Sequence, residues 1–152
     1  MSLAASSPPA SATVHGFALI ELMVVLAITA VLAALAVPAY HSHVLRAHRV
    51  EAKSALLGLA AAQERFYLQH LRYATQFELG MAPPDGLGIA TATAEGRYRL
   101  AIEAADASTF TASAAAAGAQ RDDLRCTVFS IDAHGTRSAS DAAGDPASHC
   151  WD

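Results

Sequence analysis

A glutamate stands in the one stretch of this chain that ought to exclude charge. Phe17 to Val37, FALIELMVVLAITAVLAALAV, runs for 21 residues with only Glu21 and Thr29 polar. At about 1.5 Å per residue such a helix is about 30 Å long, the thickness of a hydrocarbon core. A charge near mid-membrane costs about 2.5–3.5 kcal/mol on insertion scales, although close to the segment's end it could snorkel to the interface. It could also be neutralised. If the chain is cut between Gly16 and Phe17, the new amine lies one helical turn from Glu21, on the same face. An ammonium about 4 Å from a carboxylate gains about 4 kcal/mol at an effective dielectric of about 20, enough to offset insertion. Made between neighbouring chains, the same pairing would set their axial register, and Glu21 would act as an assembly device.

Other reactive side chains are few. Cys126 and Cys150 lie in the last 27 residues. Beyond a membrane segment, in an oxidising compartment, they read as one disulfide; in a cytosolic tail they would be two free thiols. Paired, they would close a loop of about 25 residues, worth about 3.5 kcal/mol on the chain-entropy model. The enclosed SASDAAGDPASH has little to pack with, so the staple would give it shape. His41, His43 and His48 are spaced by two, five and seven residues, whereas helical metal ligands recur at three or four, so solvated or headgroup-facing rings are expected. Asp122 and Asp123 are adjacent and would point oppositely in a strand; a solvated acidic turn is preferred over a loop metal site. No serine elbow, HExxH, CxxC or glycine-rich phosphate loop occurs, so no catalytic residue, cofactor or metal is expected. The net charge of −4 argues against a general nucleic-acid binder. It leaves room for a local basic patch, for which Arg121, Arg125 and Arg137 qualify, although Asp122, Asp123, Asp132, Asp141 and Asp145 surround them.

The elements that position these groups follow from periodicity. From Tyr40 to about Leu71 the helix continues in amphipathic form. Leu45, Ala52, Ala55, Leu56, Leu59, Ala62 and Phe66 fall on one side, with Arg46, Arg49, Lys53 and Glu64 towards the other. Such a stripe needs a partner surface, most simply a sheet in the same domain. The whole helix, with a kink at Pro38, would be about 80 Å long. Gly80, Pro83, Pro84, Gly86 and Gly88 punctuate a loop over residues 72–95. In RYRLAIEA, Tyr98, Leu100 and Ile102 alternate with polar or small residues, the period of a strand. STFTASA around Phe110 and CTVFSID around Phe129 and Ile131 read as further strands. DAHGT is a turn in which Gly135 can take positive φ. Three or four antiparallel strands over residues 96–138, one face against the helix, make an α+β roll.

GFALIELMVVLAITAVLAALAVPAY resembles the class III signal of type IV pilins and pseudopilins. The resemblance implies a prepilin peptidase that cuts after Gly16 and N-methylates Phe17. It implies that Glu21 serves recognition, methylation or assembly, and that Pro38 ends the membrane half-helix. Ala18 replaces the usual Thr or Ser. The leader, MSLAASSPPASATVHG, lacks the usual Lys or Arg and has His15 before the glycine. Arg46 and Arg49 beyond the apolar run would favour a cytoplasmic C-terminal side by the positive-inside rule, opposite to the exported head that the resemblance implies. Either the leader inserts with the Met1 amine and His15 as its positive groups, or translation starts elsewhere. Further on, VEAKSALLGLAAAQERFYLQHLRYA, the tyrosine-led strand, DLRCTVFSIDAHGTRSA and the closing Cys-Trp are similar to PilE-type minor pilins, the group that includes DNA-uptake pilins. In that group the cysteine pair bounds an exposed D-region, here residues 126–150.

The expected organisation is a cleaved leader (1–16), a transmembrane and assembly helix (17–39) and a globular pilin head (40–152). The resemblance implies a non-enzymatic fibre subunit, held single-pass in the inner membrane with its head in the periplasm and then assembled into an extracellular pilus. Its expected partners are other pilins, the prepilin peptidase, the assembly platform and the membrane. Two alternatives share the same signal: a DNA receptor on the pilus surface, and a type II secretion pseudopilin, which the terminal cysteine pair disfavours.

Overall fold

A computed structural model describes residues 19–152. The expected cleavage and methylation sites, Gly16 and Phe17, lie outside the described residues. The chain divides after Pro38 into two compact units. One helix, α1, spans Leu19–His70. Its first stretch, residues 19–37, is rich in leucine and alanine, both good helix formers, and every residue of it is exposed. In an apolar solvent a helix is the one open-chain form that satisfies its own backbone. Thr29 follows the same rule, donating its hydroxyl to the Val25 carbonyl at 2.7 Å.

From Leu45 onward α1 has one buried face. Ala52, Leu56 and Leu59 are fully buried, and Ala62 and Phe66 nearly so. The alternating four- and three-residue steps that join Leu45, Ala52, Leu56, Leu59 and Phe66 also pass through Arg49 and Gln63. Both are buried, so Arg49 belongs to the packed face and not to the solvent side expected of it. Gln63 spends its amide on the main chain, donating Nε2 to the Ala74 carbonyl at 2.8 Å and accepting Ala74 N–H at 2.7 Å. That pair of bonds fixes the chain where it turns back after the helix, just beyond Leu71, which takes the left-handed φ of 53°.

The sheet is a meander of four antiparallel strands in sequence order: β1 (Tyr98–Ala105), β2 (Phe110–Ala116), β3 (Val128–Asp132) and β4 (Arg137–Ser140). Tyr98, Leu100 and Ile102 of β1 are buried, as the alternation requires, together with Phe110, Ala112 and Ala114 of β2, Phe129 and Ile131 of β3, and Ala139 of β4. These residues and the α1 face form one core. A bulge interrupts β1 at Glu103, since Ile102 pairs with Ala112 but Ala104 with Thr111. Aspartates shape the hairpins. Asp106 Oδ1 accepts the N–H groups of Ser108 and Thr109 between β1 and β2. Asp132 Oδ1 accepts those of His134 and Thr136 between β3 and β4, where Gly135 takes φ 76°. The fold is the expected α+β roll.

The connection from α1 to β1 is ordered by its own contacts. Arg72 clasps Glu78 through both guanidinium nitrogens, and this charge-assisted contact pulls the Glu78 carboxyl down to about 2. The backbone of residues 87–89 bonds back to residues 78–81 through Leu87 N–H to Glu78, Gly88 N–H to Met81 and Ile89 N–H to Leu79. Gly86 sits inside that crossing: a Cβ there would stand 2.3 Å from the Glu78 carbonyl oxygen and 2.6 Å from that of Met81. Backbone cannot yield as a side-chain end can. Gly86→Ala should therefore destabilise the protein by about 1–3 kcal/mol, the range for overpacking. Gly58→Ala, with open space at its Cβ, should stabilise α1 by up to about 1 kcal/mol. Chemical denaturation of the two variants checks both signs.

Candidate functional site

Three surfaces carry the side chains singled out by the sequence. The first is the exposed apolar stretch of α1, on which Glu21 is the single carboxylate. Nineteen residues without a buried one form a surface that requires an apolar surrounding, whether acyl chains or other helices. The partner expected for Glu21, the amine of Phe17, lies outside the described residues. Pro38 falls within α1, at the division between the two units.

The second lies where α1 meets the connection between β2 and β3. Arg49 grips Asp123 in a bidentate pair, Nε to Oδ2 at 2.7 Å and Nη2 to Oδ1 at 2.8 Å, and both side chains are almost wholly enclosed. Asp123 is thus no solvated turn residue; only Asp122 is exposed. Gln120, also buried, donates Nε2 to the Leu45 carbonyl at 3.1 Å and to Asp123 Oδ2 at 3.3 Å. His48 Nδ1 lies 3.2 Å from Gln120 Oε1, so that ring joins this network and not a metal cluster with His41 and His43, which are exposed. The buried Tyr98 phenol is pushed up by desolvation and further by the Asp123 charge. An extended 3-10 turn, Gly118–Asp122, carries Gln120 into place.

The third surface is the C-terminal region. Cys126 and Cys150 are joined in a disulfide with Cα atoms 5.9 Å apart. The enclosed segment has more order than the staple alone would give. Arg137 to Ser140 forms β4, the Asp141 carboxylate accepts Ala143 and Asp145 N–H, and Ala142 N–H reaches the Leu124 carbonyl at 2.9 Å. Trp151 closes the region, donating Nε1 to the Ser138 carbonyl at 2.7 Å.

The three arginines considered for nucleic acid serve different features. Arg137 lies over the Trp151 ring, 5.6 Å from its centroid. Arg125 lines a small pocket beside α1. Arg121 opens on a cleft of about 500 Å³ bounded by Gly96, Arg99 and Gly118. Arg99 was not singled out from the sequence, because a strand residue in strict alternation reads as solvated. Arg97, two residues earlier, is engaged by Glu51 at 2.9 Å.

A helix with an exposed apolar first stretch, a head built on its second, and a disulfide-bounded end define a pilin-like protein, and comparison with known proteins agrees. The model of the family described as type IV minor pilin ComP, DNA uptake sequence receptor, matches residues 38–130, and the chain belongs to that family. The prokaryotic N-terminal methylation motif matches residues 12–37. The chain is 42% identical over 73 residues to the type IV major pilin protein PilA of Myxococcus xanthus, covering 47% of this chain and 33% of that one. It is 38% identical over 86 residues to PilE of Neisseria gonorrhoeae, covering 55% and 46%. The chain thus spans between about a third and a half of these curated relatives. The non-core minor pilin PilV of Neisseria meningitidis shares the fold, with a TM-score of 0.50, 22% identity, and coverage of 66% of this chain and 90% of that one. The family is one of structural proteins.

The Arg49–Asp123 pair gives a sharp test of how the head is held. Breaking a buried pair strands a charge and costs about 3–5 kcal/mol, whereas replacing both partners by apolar residues is often neutral. Arg49→Met and Asp123→Leu should each destabilise by about that much, and the double variant should recover most of the loss. A double-mutant cycle by denaturant titration measures it. Additive losses would mean that the pair does not couple helix to sheet.

Proposed function

We propose that the protein is a structural subunit of a type IV pilus, of the minor class. It would reside in the inner membrane through residues 17–39, with the head in the periplasm, until an assembly platform draws it into the fibre among other pilins. The observation that carries this reading is the methylation motif over residues 12–37 standing directly before the family match over 38–130. The fully exposed apolar stretch of α1 supports it. A prepilin peptidase would cut after Gly16 and methylate Phe17, and the new amine would meet Glu21 of a neighbouring subunit. Lipid is as apolar as leucine, so transfer of the helix into a bundle gains specificity from close packing at Ala27, Ala30, Ala33, Ala34 and Ala36 and from that charge pair.

A second reading, a DNA receptor on the pilus, is favoured by one feature. Arg99 and Arg121 face one open cleft whose other walls include Gly96 and Gly118, where a phosphodiester can approach the backbone closely. The family description points the same way.

Mass spectrometry of sheared pili should find a chain starting at N-methyl-Phe17; a fibre subunit that keeps Met1 to Gly16 would overturn the assembly reading. Glu21→Val should leave membrane insertion intact and cut recruitment into fibres at least about tenfold, since a neutralised pair of about 4 kcal/mol is lost. For the DNA reading, detergent-solubilised full chain should shift duplex DNA at low salt. Arg99→Ala and Arg121→Ala should each lower the salt slope by about one. Absence of any shift at low salt would end that reading.

A further inference from the structure

The head carries a pocket of about 190 Å³ that neither reading above uses. Ser42, Leu45 and Arg46 of α1 line one side, and Asp122, Leu124 and Arg125 the other, with the Arg49–Asp123 pair beneath. The lining is amphipathic. Leu45 is half-buried, while Leu124 leaves 64% of its surface exposed. That leucine is no swinging loop tip: its carbonyl accepts Ala142 N–H, and two residues later the chain is tied by the disulfide. Among the described residues neither Arg46 nor Arg125 makes an ion pair. With Arg49 and Asp123 cancelling, two guanidinium groups face the single carboxylate of Asp122, and the pocket is positive by one charge.

Its place in the chain points to the ligand. Ser42 follows Val37 by five residues, so no chain conformation carries it more than about 18 Å from the end of the apolar run. Between them stands Tyr40, which is 72% exposed, an aromatic of the kind that collects at membrane interfaces. His41 and His43 are exposed beside it. A free phosphate has no use for an exposed leucine. A nucleic acid brings a row of charges, and only one positive charge is in excess here. A phospholipid brings a single phosphate on an apolar stem, which matches both halves of the lining.

We propose that this pocket docks the phosphate and glycerol stem of an anionic phospholipid, tethering the head to the membrane surface before the subunit is withdrawn. The proposal rests on the membrane residence proposed above. It adds that the head itself, and not α1 alone, recognises the bilayer. Extraction into a fibre would then have to break a headgroup contact as well as remove the helix from lipid.

The test uses the full chain in nanodiscs of phosphatidylcholine, with and without phosphatidylglycerol. Hydrogen exchange is followed in the peptide Asp122–Cys126. Two arginines near an anionic surface should slow exchange there by about tenfold or more. The effect should vanish in Arg46→Gln/Arg125→Gln, whose β2 and β3 amides should stay as protected as those of the parent. Equal exchange in the two disc types would overturn the proposal. So would protection by a duplex oligonucleotide in phosphatidylcholine discs without any effect of phosphatidylglycerol, which would assign the pocket to nucleic acid. Failure of the chain to enter discs of either kind would overturn both this proposal and membrane residence.

Discussion

The head depends on a seven-residue spacing along α1. Steps of four and three residues carry one face of the helix through Leu45, Arg49, Ala52, Leu56, Leu59, Gln63 and Phe66, and Ala52, Leu56, Leu59 and Phe66 of that face share one core with the buried residues of the sheet. Its apolar members supply burial, each large side chain worth about 1.5–3 kcal/mol. Its two polar members supply position. Gln63 ties the helix to the chain that leaves it, and Arg49 ties the helix to the chain between β2 and β3. A hydrophobic stripe alone could slide by a turn without losing much area. Two buried groups with fixed partners cannot, because a slip would strand an amide and a guanidinium in the core.

The first stretch of the same helix obeys the opposite rule. From Leu19 to Val37 no face is covered, and nothing in the head is needed to explain those residues. One chain therefore carries two kinds of apolar surface. The buried stripe meets its partner once, on folding. If the chain is held in a membrane and then built into a fibre, as proposed, the exposed stretch must be content first among acyl chains and then among other helices, two environments of nearly equal polarity. Apolar contact cannot decide between them, so a carboxylate that is unfavourable in lipid and satisfied beside an amine is the kind of group that can. On the assembly reading proposed above, Glu21 would be that group, and its place near the start of the run would keep its insertion cost modest.

Much of this was legible in the sequence, and the errors share a cause. Strand positions 98, 100 and 102, the Gly135 turn and the disulfide followed from period two, from turn chemistry and from the paired cysteines. Arg49 and Asp123 were misplaced because residue type was weighed above spacing. Each alone reads as solvated, and only the fold brings together positions 74 residues apart. Arg49 sits four residues after Leu45 and three before Ala52, so the helical spacing did contain the signal. Asp123 carried none, since nothing in the local sequence distinguishes it from Asp122. Arg99 was passed over for a related reason: the cleft it shares with Arg121 joins β1 to the turn after β2, and no local pattern spans that distance.

The acidic balance of the chain acquires a different meaning once the carboxylates are placed. Asp106, Asp132 and Asp141 each accept backbone N–H groups in tight turns, and Asp123 is closed in by Arg49. These charges are bound to local donors, whereas Arg46, Arg99, Arg121 and Arg125 are exposed without an ion pair among the described residues. A net charge of −4 therefore understates what a polyanion or an anionic membrane would meet at close range. Over distances beyond a Debye length, about 8 Å at physiological salt, the acidic total governs repulsion weakly. Within it, the arrangement of free guanidinium groups governs contact. A head of this kind can stay acidic overall, resist indiscriminate association, and still present separate basic surfaces that differ in what lies between the arginines, glycine backbone in one and leucine in the other, which is the difference on which the two proposed ligands would be told apart.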